Sequence, residues 1–146
     1  MAKRSPRAIG TTAESAVVRW LRANGFPDAR RQPLYGAKDQ GDIIVCEQPR
    51  ILIECKAGAA ATNASMGQIR AWLEQTETEA VNAAADLGVL VQYRRGRSVG
   101  DWPVWMAACD WIALLTGDEL TPVDAPWPMA TSLADWAVMA RAWTNQ

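Results

Sequence analysis

The chain of 146 residues contains no histidine, and that absence excludes more than any other feature of its composition. Serine and cysteine triads, HExxH zinc proteases, histidine–metal nucleases and zinc deaminases all depend on an imidazole. Any catalysis here falls to carboxylates and lysine. Cysteine is scarce as well. Cys46, Cys55 and Cys109 are odd in number and lack CxxC spacing, which fits reduced thiols of a cytosolic compartment better than a disulfide framework or a zinc site. No apolar run approaches the roughly 18–20 residues of a membrane span. The basic start MAKRSPR has no apolar stretch behind it, unlike a secretory signal. A soluble cytoplasmic protein with no membrane partner is expected. Neither GxGxxG nor GxxxxGK[ST] occurs at a strand-to-helix junction, which removes the Rossmann and P-loop folds.

What is present is a single-domain length with a globular composition, enough to bury a core without staples. Net charge is only −1, but it is unevenly distributed: residues 1–56 carry ten Lys and Arg against six acids, and the remainder carries five against ten. A polyanion, if one binds, is therefore expected on the N-terminal half; the alternative is that two solvated faces merely differ.

Residues 1–9 read as a flexible basic arm, followed by a single domain over 10–146 with its core over about 10–108 and a C-terminal helical extension. In TTAESAVVRWLRANG, Ala13, Ala16, Val17, Trp20 and Leu21 recur at helical spacing and Asn24-Gly25 stops the helix. ARRQPLYG is a short strand interrupted by Pro33, and GAKDQGD a loop. DIIVCE and RILIECK, separated by Gln48-Pro49, read as a hairpin of central strands. From Ser65 to Ala85 the spacing is helical, with Glu74, Glu77 and Glu79 largely off the apolar face. LGVLVQY and WPVWMA are further strands, Asp110 caps a short helix, and TSLADWAVMARAW closes the chain as an amphipathic helix. A helix crossing between the third and fourth strands implies an α/β domain with a mixed sheet flanked by helices.

The charges in ILIECKAG, residues 51–58, need an explanation. Alternation puts Leu52, Glu54 and Lys56 on one face of a strand otherwise apolar. A lone Glu-x-Lys on a strand reads first as an ion pair. Asp42, however, begins the partner strand directly after Gly41, and in an antiparallel hairpin the start of one strand lies beside the end of the next. Asp42, Glu54 and Lys56 should thus converge at one sheet edge. Ion pairs stabilise apolar central strands poorly because desolvation offsets attraction, so a cluster there points to function. Two carboxylates with a neighbouring carbonyl are hard oxygen donors suited to Mg²⁺ or Mn²⁺. Such an ion can activate water against a phosphodiester, with a lysine offsetting the developing charge.

Gly-Asp before an apolar strand, eleven intervening residues and then Glu-Cys-Lys ending a second strand resemble the PD-(D/E)xK nuclease superfamily. Its αβββαβ core, restriction-endonuclease-like, matches the element order over about residues 10–95. The opening GTTAESAVVRWLRANGF resembles the archaeal and phage Holliday junction resolvase branch, in which a glutamate of this helix joins the metal site. The resemblance implies a Mg²⁺- or Mn²⁺-dependent endonuclease cutting four-way DNA junctions as a homodimer in the cytoplasm, the host's where a phage encodes it. Glu14, Asp42, Glu54 and the Cys55 carbonyl would hold metal, and Lys56 would act on the water. Gln68 is similar to an accessory polar residue of some relatives. Glu14 also has a purely local reading, because Thr11-Thr12-Ala13-Glu14 matches a capping box. The form Gly-Asp departs from the superfamily's Pro-Asp. Lys3, Arg4, Arg7, Arg30, Arg31 and Lys38 are the expected DNA contacts. Other readings are a restriction- or Mrr-like endonuclease, a branched- or single-strand nuclease, and a non-catalytic DNA-binding protein on the same fold.

Six of eight tryptophans follow residue 100 without the interleaved basic residues of a base-stacking platform, so core or subunit interface is the expectation for them. The stripe Leu133, Trp136, Ala137, Ala140 and Trp143 is the expected dimer face, because two symmetric cuts in a junction match a C₂ pair of sites.

Overall fold

Ser5, not Thr11, starts the first helix. Its side chain accepts from the Ala8 N–H and Pro6 takes the first helical position, so α1 runs Pro6–Ala23. The expected arm therefore ends at Ser5. The capping box fails for the same reason: Thr11, its expected cap, lies inside the helix, which leaves Glu14 at mid-helix with no capping duty. At the other end the helix stops at Asn24, ahead of Gly25 at φ 97°, as expected. The structure is a computed structural model and describes residues 2–33, 40–118 and 124–146.

Among the described residues, six strands form one sheet in chain order: β1 Arg30–Arg31, β2 Ile43–Glu47, β3 Arg50–Lys56, β4 Leu87–Gln92, β5 Pro103–Ala107 and β6 Pro128–Ser132. All neighbours are antiparallel except β3 and β4, which run parallel from Ile51↔Leu87 to Lys56↔Gln92. A parallel pair needs a crossover, and α2 (Gly58–Thr62) with α3 (Met66–Asn82) supplies it. The order helix, three strands, helix, strand, strand is thus the expected one, in an α/β fold with a mixed sheet flanked by helices.

Both sheet faces are covered, which is why the central strands are nearly all apolar. Ile43, Ile51, Ile53 and Val89 pack with Val17 and Leu21 of α1 and with Leu133 and Trp136 of α5 (Leu133–Thr144). On the other face Ile44 and Leu52 meet Ala80, and Leu90 meets Ile69 and Leu73, all from α3. Polar side chains on such strands are left to the strand ends, where the candidate site lies.

The C-terminal third departs from expectation in three places. Strand β6 lies within the stretch expected to be loop and helix start. Asp110 sits inside the first turn of α4 (Ala108–Thr116), with Ala107 at the cap position. The apolar stripe of α5 is core: Leu133, Trp136, Ala137 and Ala140 are fully buried against the sheet, and Trp136 stacks on Phe26. This chain hides its own stripe, so the stripe gives no ground for a dimer. Of the C-terminal tryptophans among the described residues, only Trp127 is exposed, beside exposed Met129 on β6.

Candidate active site at the edge between β2 and β3

Asp42 is fixed twice to the end of β3. Its N–H donates to the Ile53 carbonyl at 3.1 Å, and its Oδ2 accepts from the Cys55 N–H at 2.8 Å. The side chain thus takes the bond that the next residue of β2 would have made. Gly41 makes this possible. It has φ +78°, and a Cβ there would lie 2.6 Å from Leu52 Cδ1 in the core. We expect Gly41→Ala to cost about 1–3 kcal/mol through strain and overpacking and to displace Asp42. The check is a lowered denaturation midpoint together with loss of any activity that depends on Asp42.

Glu54 points to the α3 side and is 5% exposed. Its Oε1 lies 2.7 Å from Lys56 Nζ, while Oε2 finds no donor among the described residues. The carboxyl of buried Glu79, from α3, stands within hydrogen-bonding reach, and two carboxyls can share a hydrogen bond only if one is protonated. Burial, the Glu79 contact and its charge push the Glu54 carboxyl up to about 8 against the pull of Lys56. Asp42 is likewise pushed up to about 8, by burial first and by the charges of Glu54 and Glu14, against the Cys55 hydrogen bond and Lys56. Burial alone would lower the Lys56 ammonium, but the hydrogen bond and charge of Glu54, with Asp42 and Glu79 behind it, raise it overall.

Lys56 is held on several sides. It donates to Gln75 Oε1 at 3.2 Å, and Nζ lies 5.8 Å from the Trp72 ring centroid. Gln75 in turn donates to Glu79 Oε1 at 2.6 Å. Glu79 and Gln75 are thus part of the cluster, although the sequence reading set Glu79 on the solvent side. The signal was present: Trp72, Thr76, Glu79 and Ala83 share one helical stripe, and Thr76 and Ala83 are buried. Gln68 is not part of the cluster. It is exposed in the first turn of α3, its N–H on Ser65 Oγ, about 10 Å along the axis from Gln75.

Glu14 stands beside the cluster rather than inside it. It reaches the edge from α1, on the opposite face from α3, and its Oε2 lies 2.9 Å from Arg31 Nε. Its charge raises Asp42. Arg30 pairs with Glu47. Two of the expected DNA contacts are therefore already engaged by carboxylates, whereas Lys3, Arg4 and Arg7 are exposed. Lys38 lies outside the described residues.

The donors can be tested for fit to a cation. No three acidic, thiol or imidazole groups stand together as a metal-binding group among the described residues, so the expected triad of Glu14, Asp42 and Glu54 is not assembled. Two carboxyls are brought together, however, and the Cys55 carbonyl joins them. The Cys55 N–H faces Asp42, and within a strand the carbonyl of a residue faces the same way as its N–H. Two carboxylates plus a carbonyl suit Mg²⁺, which keeps several waters and takes few protein ligands.

Neither the sequence, compared with protein-family models and with curated proteins, nor the fold, compared with solved structures, finds a significant match.

Proposed function

We propose that this chain is a metal-dependent endodeoxyribonuclease of the PD-(D/E)xK type, with four-way DNA junctions as its leading substrate. The observation that carries this reading is the pair of carboxyls, half-buried Asp42 and buried Glu54, gathered at two strand ends with an ammonium 2.7 Å from one of them. As a structural element the cluster is a poor choice, because burial pushes both carboxyls up to about 8 and an apolar edge would be more stable. As a reactive centre it makes sense.

Asp42, Glu54 and the Cys55 carbonyl would hold Mg²⁺ or Mn²⁺. When bound, the ion supplies neutralisation of a phosphodiester oxygen and a lowered pKa for water. The remaining work belongs to the chain. Gln75, Glu54 and Trp72 fix the Lys56 ammonium so that it can orient the attacking water and offset charge on the phosphorane-like transition state. Arg31 holds Glu14 at the sheet edge, where its charge bears on Asp42. The C₂ homodimer that a four-way junction favours is part of the proposal, but the α5 stripe does not support it.

The substrate is tested by incubating the protein and Mg²⁺ with a synthetic four-way junction beside a linear duplex of the same sequence. Paired cuts in the junction with the duplex left whole are expected. Equal cutting of both would replace the junction by a general or restriction-type target while keeping the chemistry.

A further inference from the structure

A cavity of about 560 Å³ opens on the α1 side of the same sheet end, starting two residues beyond Lys56. It exists because β3 and β4 run parallel, so α2 and the loop after β4 emerge together, and α1 starts beside them. Ile9, Ala13 and Ala16 of α1 and Gly58 and Ala59 of α2 give it apolar walls. Tyr93 and Trp102, in edge contact with centroids 5.0 Å apart, give it an aromatic wall. Thr12, Thr62 and Asn63 add polar groups, and Arg4 and Arg95 stand at the rim.

Arg95 belongs to a basic loop, Arg94-Arg95-Gly96-Arg97, that the charge balance of the C-terminal half conceals. This loop holds three of the five basic residues after residue 56, and it brings them to the catalytic end opposite the N-terminal basic segment. Arg94 donates to the Thr62 carbonyl at 3.4 Å, tying the loop to α2. Arg4, Arg95 and Arg97 make no ion pair among the described residues, in contrast to Arg30 and Arg31.

We infer that this cavity is a nucleotide subsite. It takes the base of an unpaired DNA nucleotide near the scissile phosphate, while Arg4 and Arg95 hold the phosphates on either side. The chemistry selects this occupant. A planar apolar base fits a pocket with aromatic and small apolar walls and a few polar groups, within the range of about 300–1,000 Å³ usual for small-ligand sites. Uncommitted guanidiniums at the rim complement its flanking charges. The inference rests on the nuclease reading for its substrate class, and it narrows that class to DNA with unpaired nucleotides at or near the branch, rather than continuous duplex.

The test reads binding, not cleavage, so the two readings can fail separately. Fluorescence anisotropy in EDTA measures affinity for a single-stranded oligothymidylate of about eight nucleotides and for a linear duplex. Ile9→Trp fills the cavity. It should weaken oligothymidylate binding by about tenfold or more, the worth of a lost base contact, and change duplex binding far less. Arg95→Glu alters only an exposed side chain, and should give the same selective loss with a salt dependence reduced by about one phosphate contact. Unchanged oligothymidylate affinity in a folded Ile9→Trp protein and in Arg95→Glu, or an equal loss for duplex, would overturn the subsite. Selective loss without any metal-dependent cleavage by the wild type would keep the subsite and discard the nuclease.

Discussion

Glu54→Gln is expected to lower metal-dependent DNA cleavage by about 10³-fold or more and, in the same protein, to raise the stability of the metal-free fold at pH 8. The activity loss follows from removing one of two carboxylates that would hold the cation. The stability gain follows from proton linkage. A carboxyl whose folded pKa exceeds its unfolded value binds protons more tightly in the fold. Its contribution is therefore complete below the unfolded value, near 4.5 for Glu54, and is lost as pH rises through about 8. For the metal-free wild type, thermal stability should fall between about pH 5.5 and pH 8.5, and Mg²⁺ should restore it at the alkaline end by binding the ionised carboxylates. Glutamine stays neutral throughout and removes that slope, with a gain at pH 8 on the order of 2 kcal/mol. Asp42→Asn should behave alike, since burial also pushes Asp42 up to about 8. A metal-free wild type that grows more stable as pH rises through this window would contradict the placement of both carboxyls.

Lys56→Ala is the second large effect. Cleavage should fall by about 10²–10³-fold with Mg²⁺ binding retained, because in the proposed mechanism the ammonium would act on water and on transition-state charge and would not ligate the ion. Here the fold loses stability. Glu54 and Glu79 keep their buried carboxyls but lose the ammonium 2.7 Å from Glu54, at a cost of roughly 1–3 kcal/mol at pH 8. The cost should shrink near pH 5.5, well below the value of about 8 to which burial pushes the Glu54 carboxyl. Urea denaturation of wild type and variant at the two pH values measures it. Cleavage at the wild-type rate in Lys56→Ala would leave the proposed mechanism without its lysine.

The parts of this molecule that sequence made legible are those that a repeat period encodes. Ala13, Val17 and Leu21 mark α1, and the β-branched runs mark β2 to β4. The hairpin then forces Asp42 towards Glu54 and Lys56 without any knowledge of the core. Periodicity says that a face is buried but not against what. The Trp136 stripe of α5 could equally have met a second subunit, and it meets the sheet. Chemical type misled at Glu79: a glutamate reads as solvated, yet its position on the Thr76 stripe decides its burial. Thr11 and Glu14 satisfied a capping pattern, but Ser5-Pro6 satisfied one earlier in the chain, and the earlier cap wins. Averaging charge over halves of the chain hid Arg94, Arg95 and Arg97, which the parallel pairing of β3 and β4 brings to the sheet end where Glu54 and Lys56 lie.

The most direct measurement is a single-turnover assay on an end-labelled four-way junction, comparing wild type with Mg²⁺, wild type in EDTA, and Asp42→Asn and Glu54→Gln with Mg²⁺. The account predicts phosphodiester cleavage in the first condition and none above background in the other three, with all proteins folded by circular dichroism. Cleavage that survives in EDTA or in either variant, or no cleavage by the wild type of any junction, branched or linear DNA, would contradict the assignment of this edge as a metal-dependent nuclease centre.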